Sequence, residues 1–176
     1  MGARMGPTGG PILLLDQDRT LWNQLLIHRG LAAIQRAEAL GGALGTYTLQ
    51  AAIAACHAQA RLPGDTDWER IVALYDALVQ LMPSPVVQLN RAVAVAMAFG
   101  PQAGLDLIDP LVGEPVLASY HLLPTVRGDL LAKLGRLDEA RLEFRHAATL
   151  TRNTREQELL LGRAEACTKT PTQTNS

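Results

Sequence analysis

Aromatic residues are scarce in this chain of 176 residues, at 4% of the sequence, although 48% of the residues are hydrophobic. The apolar mass is therefore mostly alanine, leucine and valine, which suits helices that pack closely against one another. Alternation of polar and apolar residues over the length of a strand, the mark of a half-buried strand, is also missing. These absences predict an all-α fold, in a chain long enough to bury a core.

The chain has no excess of either charge, since 16 lysines and arginines stand against 17 aspartates and glutamates, for a net charge of -1. A free-standing nucleic-acid-binding domain would present a basic face, so we expect no direct DNA binding. No apolar run approaches the roughly 18–20 residues of a membrane span, and the N-terminus lacks the features of a signal peptide. The two cysteines, Cys56 and Cys167, lie far apart, which is typical of reduced, buried thiols. We therefore predict a cytoplasmic protein without membrane contact.

Glycine, proline and polar clusters divide the chain into three parts. Residues 1–11 are rich in Gly and Pro and are predicted to be disordered or to derive from cloning. Residues 168–176 are polar and are predicted to form a flexible tail. Between them, residues 12–167 are predicted to form a single helical repeat domain of about eight helices, the first over residues 18–40 and the second over residues 47–60.

Local signals predict the boundaries of the remaining helices. Two capping boxes, Thr66 with Glu69 and Thr154 with Gln157, indicate the starts of the third and the last helix. Proline and glycine give the other boundaries, because proline disfavours helix before itself and fits the first helical turn, and glycine often follows a helix. The third helix ends before Pro83, and the fourth begins at Pro85, with Ser84 as its cap, and ends at Gly100. The fifth runs from Pro101 to near Gly113, and Gly135 separates the sixth from the seventh. The eighth ends near Cys167.

Residues 128–150 resemble a tetratricopeptide repeat, a helical hairpin of about 34 residues that buries its apolar face by stacking on neighbouring hairpins. The signature small and aromatic residues are present at the repeat's spacings, while an arginine replaces the usual closing proline. These positions are Gly128, Ala140, Phe144, Ala147 and, for the arginine, Arg152.

The pattern recurs upstream, because Gly100 precedes Gly135 by 35 residues and Leu89 and Val93 take the positions of first-helix residues. The resemblance implies an all-α superhelical stack of tetratricopeptide-like helical hairpins with an N-terminal helical cap. Since such arrays mostly bind other polypeptides, it also implies an interaction domain and not an enzyme. An unrelated all-helical bundle is the alternative.

An apolar run over residues 12–15 precedes Asp16 and Asp18, and this segment resembles the first motif of haloacid-dehalogenase-type phosphatases. In that alternative Asp16 is the nucleophile, Asp18 is the acid/base, and Mg²⁺ bridges the carboxylates and the phosphate. The chemistry requires a parallel sheet and a lysine on another strand, whereas the only lysines are Lys133 and Lys169. The simpler interpretation is that Asp16 or Asp18 caps the first helix.

Several sequence blocks, taken in order, resemble the C-terminal extension of a group of bacterial extracytoplasmic-function (ECF) sigma factors. They begin at Asp16 (DQDRTLW), Gly30 (GLA), Tyr47 (YTLQAAIAACH), Asp67 (DW), Ile71 (IVALYD), Pro83 (PSPVVQLNRAVA) and Tyr120 (YHLL). The resemblance covers residues 13–160 and implies a regulatory domain whose promoter-reading regions would precede it. The implied partners are those promoter-binding regions of the same polypeptide, the RNA polymerase core or a regulatory protein.

Two groups of polar residues are the candidate protein contacts, and no catalytic, metal or cofactor site is predicted. The four histidines are not at the spacings of paired metal ligands. As protein contacts, arginine side chains can bind a carboxylate of a partner. The first group, in which the tryptophan is alternatively a core residue, is Asp16, Gln17, Asp18, Arg19 and Trp22. The second group, on or beside predicted first helices of repeats, is Asn90, Arg91 and Arg127, which alternatively serve only in capping or intrahelical hydrogen bonds.

Overall fold

The computed structural model describes residues 45–60 and 63–168. Within these ranges the helices are α1 (Thr46–Gln59), α2 (Trp68–Leu81), α3 (Pro85–Phe99), α4 (Pro101–Ile108), α5 (Leu122–Lys133), α6 (Leu137–Leu150) and α7 (Thr154–Ala166). Short 3-10 turns lie at Pro63–Asp65, Asp109–Leu111 and Pro115–Leu117. These same ranges contain no strand, so the all-α prediction is confirmed for them, and the parallel sheet of the phosphatase alternative is not found there. The helix predicted over residues 18–40 lies outside the described residues.

The chain divides into two compact units, residues 1–87 and residues 88–176, with the boundary inside α3. The sequence predicted one domain over residues 12–167, so the structure shows a finer division. In the first unit α1 packs against α2. The buried side chains of this pair include Leu49, Ile53, Ile71 and Leu78.

The start of α2 differs from the predicted capping box. Asp67, not Thr66, is the N-cap residue, and its carboxylate accepts a hydrogen bond from the backbone N–H of Arg70 at 3.0 Å. Both Thr and Asp are good N-cap residues, so the sequence alone does not distinguish Thr66 from Asp67 as the N-cap of α2. The end of α2 at Leu81 agrees with the prediction, since Pro83 follows closely.

In the second unit the helices pack in the order of the chain. Contacts join α4 to α5, α5 to α6 and α6 to α7. A Cβ atom added at Gly104 of α4 would collide with the methyl group of Ala96 and the carbonyl of Ala92. The backbones of α3 and α4 therefore approach each other closely, as the alanine-rich composition predicted. The buried core of this unit includes Leu105, Ile108, Leu117, Leu131, Phe144 and Leu160.

The hairpin of α5 and α6 is built around the pair of Gly128 and Phe144. An added Cβ at Gly128 would lie 2.8 Å from Phe144 Cε1, and the Phe144 ring is only 1% exposed. Ala140 and Ala147, also predicted at repeat positions, are 0% exposed. Gly128 and Phe144 therefore lie in the contact between the two helices, and the two alanines are buried.

Glycine makes both tight junctions of the second unit. Gly135 has a φ of +75°, and the N–H groups of Gly135 and Arg136 donate to the carbonyls of Ala132 and Leu131 at 3.0 and 2.9 Å. This pair of bonds is the Schellman arrangement that ends a helix with a left-handed residue. Gly100, between α3 and α4, has a φ of +98°. Both helix ends were predicted from these glycines.

Two helix ends in the second unit differ from the predictions. The helix α4 ends at Ile108 and continues as the 3-10 turn Asp109–Leu111, short of the predicted end near Gly113. Pro110 explains this, because it cannot donate the hydrogen bond that would extend the helix. The cap of α7 is Asn153, whose side-chain oxygen accepts from the N–H groups of Arg155 and Glu156, and not the predicted Thr154.

Proline also lies inside the first turn of α5. Pro124 is the third residue of this helix, where its missing N–H would have no intrahelical partner in any case. The next N–H, from Thr125, donates to the carbonyl of His121 at 3.1 Å. The helix therefore begins at Leu122 and runs through the proline.

Candidate protein-interaction site

Five of the eight predicted contact residues lie outside the described part of the chain: Asp16, Gln17, Asp18, Arg19 and Trp22. The other three lie in the second unit, on α3 and α5. Asn90 is exposed and Arg91 is half-buried on α3. Arg127 is on α5, and its side chain is 19% exposed.

Arg127 is held by two carboxylates of its own unit. Its Nε donates to Asp109 Oδ1 at 2.9 Å, and its Nη1 donates to Glu143 Oε1. Burial opposes the charged guanidinium, but the hydrogen bond to Asp109 and the charge of Glu143 outweigh burial, so the pKa of Arg127 is raised. The side chain thereby joins the end of α4 to α5 and α6. The sequence predicted that Arg127 binds a carboxylate of a partner, whereas the carboxylates that it binds belong to its own unit.

A second polar contact links α5, α6 and α7. The Arg163 guanidinium of α7 forms an ion pair with Asp129 of α5. Its carbon Cζ lies 4.4 Å from the ring centroid of Phe144 on α6, within the range of a cation–π interaction. Phe144 therefore packs against Gly128 and also contacts the charged end of Arg163, which ties the last helix to the hairpin.

A third polar contact joins the starts of α5 and α7. His121 Nε2 lies 3.0 Å from Glu156 Oε1, and the hydroxyl of Thr151 donates to Glu156 Oε2 at 2.5 Å. Both side chains are partly buried, His121 at 26% and Glu156 at 34% exposure. This cluster holds the segment between α6 and α7 against the beginning of α5.

Sequence reasoning did not find these three contacts. The contacts between different helices join residues 16 to 35 positions apart along the chain, so no local spacing reveals them, and each depends on how the helices are rotated about their axes. Of the second predicted group, Asn90 is the residue with the most exposed position, and it remains a candidate contact.

The first unit contains an open cavity of about 270 Å³ between the end of α1 and the start of α2, lined by Cys56, Gln59, Ala60, Asp65, Asp67 and Arg70. Burial of Cys56 raises the pKa of its thiol, Asp67 raises it further, and Arg70 opposes this shift only in part. A thiol held protonated in this way is a poor nucleophile, because the thiolate is the reactive form.

Histidine, cysteine and carboxylate side chains are not grouped for metal binding in the described ranges, where no three of them come together. The half-buried Trp68 packs edge to face with His57 at 5.2 Å between ring centroids. Both Cys56 and Cys167 are free thiols; Cys56 is buried as predicted, whereas Cys167 is half-buried. None of the described helices has the length and apolarity to cross a membrane.

The chain is similar to an uncharacterized protein of Rhizobium meliloti (strain 1021), with 49% identity over 154 residues. The match takes in 88% of this chain but 36% of the rhizobial protein, so the chain spans just over a third of that relative's length. No protein-family model matches the chain, and no solved structure matches it.

Proposed function

We propose that this chain is the regulatory C-terminal domain of an ECF-type RNA polymerase sigma factor and acts in the cytoplasm through protein–protein contacts. In this proposal it contacts the promoter-binding regions of the same polypeptide, the RNA polymerase core or a regulatory protein. It does not bind promoter DNA itself, and it carries out no chemical reaction.

The observation that carries the proposal is the ordered series of sequence blocks over residues 13–160 that resembles the sigma-factor extension. The fold supports it. The second unit stacks its helices in chain order, with glycine junctions 35 residues apart and the Gly128–Phe144 contact inside the α5–α6 hairpin. These features fit a superhelical stack of tetratricopeptide-like hairpins, the architecture we propose.

The length of the rhizobial relative also supports the proposal. Nearly two thirds of that protein lies outside the part that matches this chain. A sigma factor needs promoter-binding regions in addition to such an extension, and the unmatched part of the relative has room for them. We therefore propose that the relative and the protein to which this domain belongs share that longer organisation.

The proposed contact residues are the two groups predicted from the sequence, each taken by itself. The first is the cluster of Asp16, Gln17, Asp18, Arg19 and Trp22, and the second is Asn90 with Arg91 on α3. Arg127 has a different role in the proposal, since its carboxylate partners lie within the unit. It stabilises the packing of the end of α4 against α5 and α6.

The test uses the full-length rhizobial protein with purified core RNA polymerase. Binding to the core is measured by sedimentation velocity, and promoter-dependent synthesis is measured by run-off transcription. We expect binding and transcription by the full-length protein, and a clear loss of transcription when the segment matching this chain is deleted. The matched control is a promoter recognised by the housekeeping sigma factor, whose transcription should not change.

The same experiment distinguishes the proposed sigma factor from the alternative, a generic peptide-binding tetratricopeptide scaffold. A full-length relative that neither binds core polymerase nor supports transcription would contradict the sigma-factor proposal and favour the scaffold. Retained transcription after deletion of the matched segment would contradict the regulatory role while leaving the sigma-factor identity in place.

A further inference from the structure

The outer side of α6 carries an exposed leucine beside an unpaired arginine. Leu142, Arg145 and Thr149 are spaced three and four residues apart, so they share one side of the helix, and all three are exposed. Leu142 is 62% exposed. Arg145 makes no ion pair within residues 45–60 and 63–168, unlike Arg141 one turn earlier, which pairs with Asp138. We name Leu142, Arg145 and Thr149 the basic face.

The outer side of α7 has the same spacing with the opposite charge. Glu158, Leu161 and Glu165 also lie three and four residues apart and are exposed, with Leu161 at 43% exposure. In the part of the chain that the structure describes, neither glutamate forms an ion pair; the acidic side chains that do are elsewhere, such as Asp129 with Arg163. We name Glu158, Leu161 and Glu165 the acidic face.

We propose that the basic face of one copy of this chain binds the acidic face of a second copy. If Leu142 packs against Leu161, Arg145 lies one helical turn away, and a glutamate lies one turn from Leu161 on both sides. Arg145 therefore meets Glu158 when the helices run antiparallel and Glu165 when they run parallel. Charge complementarity thus favours the pairing in either direction.

Like faces do not pair, and this decides the symmetry. Two acidic faces would bring glutamates together in either direction. Two basic faces would bring Arg145 against its own copy when the helices run parallel, and opposite Asp138 and Glu139 when they run antiparallel, where both carboxylates already pair with Arg141 and Arg136. The contact is therefore heterologous, head to tail, and adds copies into rings or short filaments. Because one leucine and one or two ion pairs per side make a small interface, the association is weak and depends on concentration and salt. It is independent of the proposed sigma-factor function.

Sedimentation equilibrium of the full chain tests this, over roughly 10 µM to 1 mM protein, the range in which weak association is measurable. We expect concentration-dependent association that weakens at high salt. Arg145→Glu should lower the association constant about ten-fold, and so should the double variant Glu158→Arg/Glu165→Arg, because each change replaces an attraction with a repulsion. Mixing the two variant proteins should restore association, since each then offers a complementary face to the other.

Glu114→Arg is the matched charge-reversal control, because Glu114 lies in the segment between α4 and α5 and on neither face. It should leave the association constant unchanged, and circular dichroism should show that every variant is folded. A monomer throughout the concentration range overturns the proposal. So does association that survives Arg145→Glu, which would place the contact elsewhere, for example on the exposed Val112 and Val116. Failure of the mixed variants to associate would likewise overturn it.

Discussion

Gly128 and Gly162 are both glycines within helices of the second unit, but their surroundings differ. An added Cβ at Gly128 would lie 2.8–3.2 Å from three atoms of the buried Phe144 ring, whereas an added Cβ at Gly162 would meet nothing within 4 Å. We therefore predict that Gly128→Ala destabilises the protein by about 1–3 kcal/mol through overpacking, despite the gain in helix propensity. Chemical denaturation measures the change.

Gly162→Ala is the matched control for this prediction. With open space around the new methyl group, it should stabilise the protein by about 0.5–1 kcal/mol, because alanine is the better helix former. Equal stabilisation by both substitutions would contradict the close contact between Gly128 and Phe144, and with it the packing of α5 against α6.

Arg127 offers a second prediction at the scale of single residues. Its side chain and that of Glu143 are about four-fifths buried, so Arg127→Ala leaves a partly buried carboxylate without its cation. We expect a loss of about 1–3 kcal/mol of unfolding free energy, less than for a fully buried pair because Asp109 is half exposed to solvent.

Arg136→Ala is the comparison, because Arg136 forms an ion pair with Glu139 at the exposed start of α6. Its removal should leave stability nearly unchanged, as for most surface ion pairs. Should Arg127→Ala have no larger effect than Arg136→Ala, the contact between α4, α5 and α6 would not be structural, and Arg127 would return to the list of residues available to a partner.

At the scale of helices, the N-caps give a direct test. Asn153 accepts hydrogen bonds from two N–H groups of α7 at 3.1 and 3.4 Å, while Thr154 is the first residue inside the helix. Asn153→Ala should therefore cost about 0.5–2 kcal/mol, and Thr154→Ala should cost clearly less. Thermal unfolding monitored by circular dichroism compares them. A larger loss for Thr154→Ala would support the capping box predicted from the sequence over the arrangement in the structure.

The helix ends that the sequence predicted well are those where proline or glycine restricts the backbone. Each of these residues acts through its own φ angle or missing N–H, so its effect on the helix end can be predicted from the local sequence. They are Pro85, Pro101, Gly100 and Gly135. The caps were misplaced by one residue at Asp67 and Asn153, since threonine lies beside each and is also a good cap. Local preferences there are nearly equal, and tertiary packing decides between them.

The polar contacts between helices could not be predicted for a different reason. Asp109, Arg127 and Glu143 lie on three separate elements, and their meeting depends on the angle and rotation at which α4, α5 and α6 pack. The sequence correctly identified Arg127 as a residue able to bind carboxylates. It did not reveal that the carboxylates belong to the same chain. The candidate contact residue Asn90 has an exposed position, and its partner stays a prediction.

At the scale of the whole molecule, net charge predicts behaviour toward nucleic acid. With 16 basic and 17 acidic residues, the chain has no net positive charge to attract phosphates, and Arg127, Arg136 and Arg163 are engaged with carboxylates. We expect no DNA binding at micromolar protein in about 0.1 M salt. Fluorescence anisotropy with a labelled duplex measures it, and binding that falls steeply with added salt would contradict the expectation.

Arg19 provides the test of how the domain serves a longer protein. The segment from Asp16 to Trp22 holds charged residues and an aromatic side chain close together in sequence, and arginine and tryptophan can each contribute about 2 kcal/mol or more at the centre of an interface. We predict that Arg19→Ala changes the melting temperature of this chain by no more than about 2 °C, as for most surface substitutions. In the full-length sigma factor that we propose, the same substitution should impair transcription from its target promoter.

Lys133→Ala, at the exposed end of α5, is the control and should affect neither property. Each departure from the expected result has a definite meaning because stability and transcription are measured separately. Unfolding of the chain by Arg19→Ala would show that the arginine is structural and that the interface hypothesis for its segment fails. If neither stability nor transcription changes, the contact surface lies elsewhere, and Asn90 with Arg91 on α3 becomes the next site for substitution.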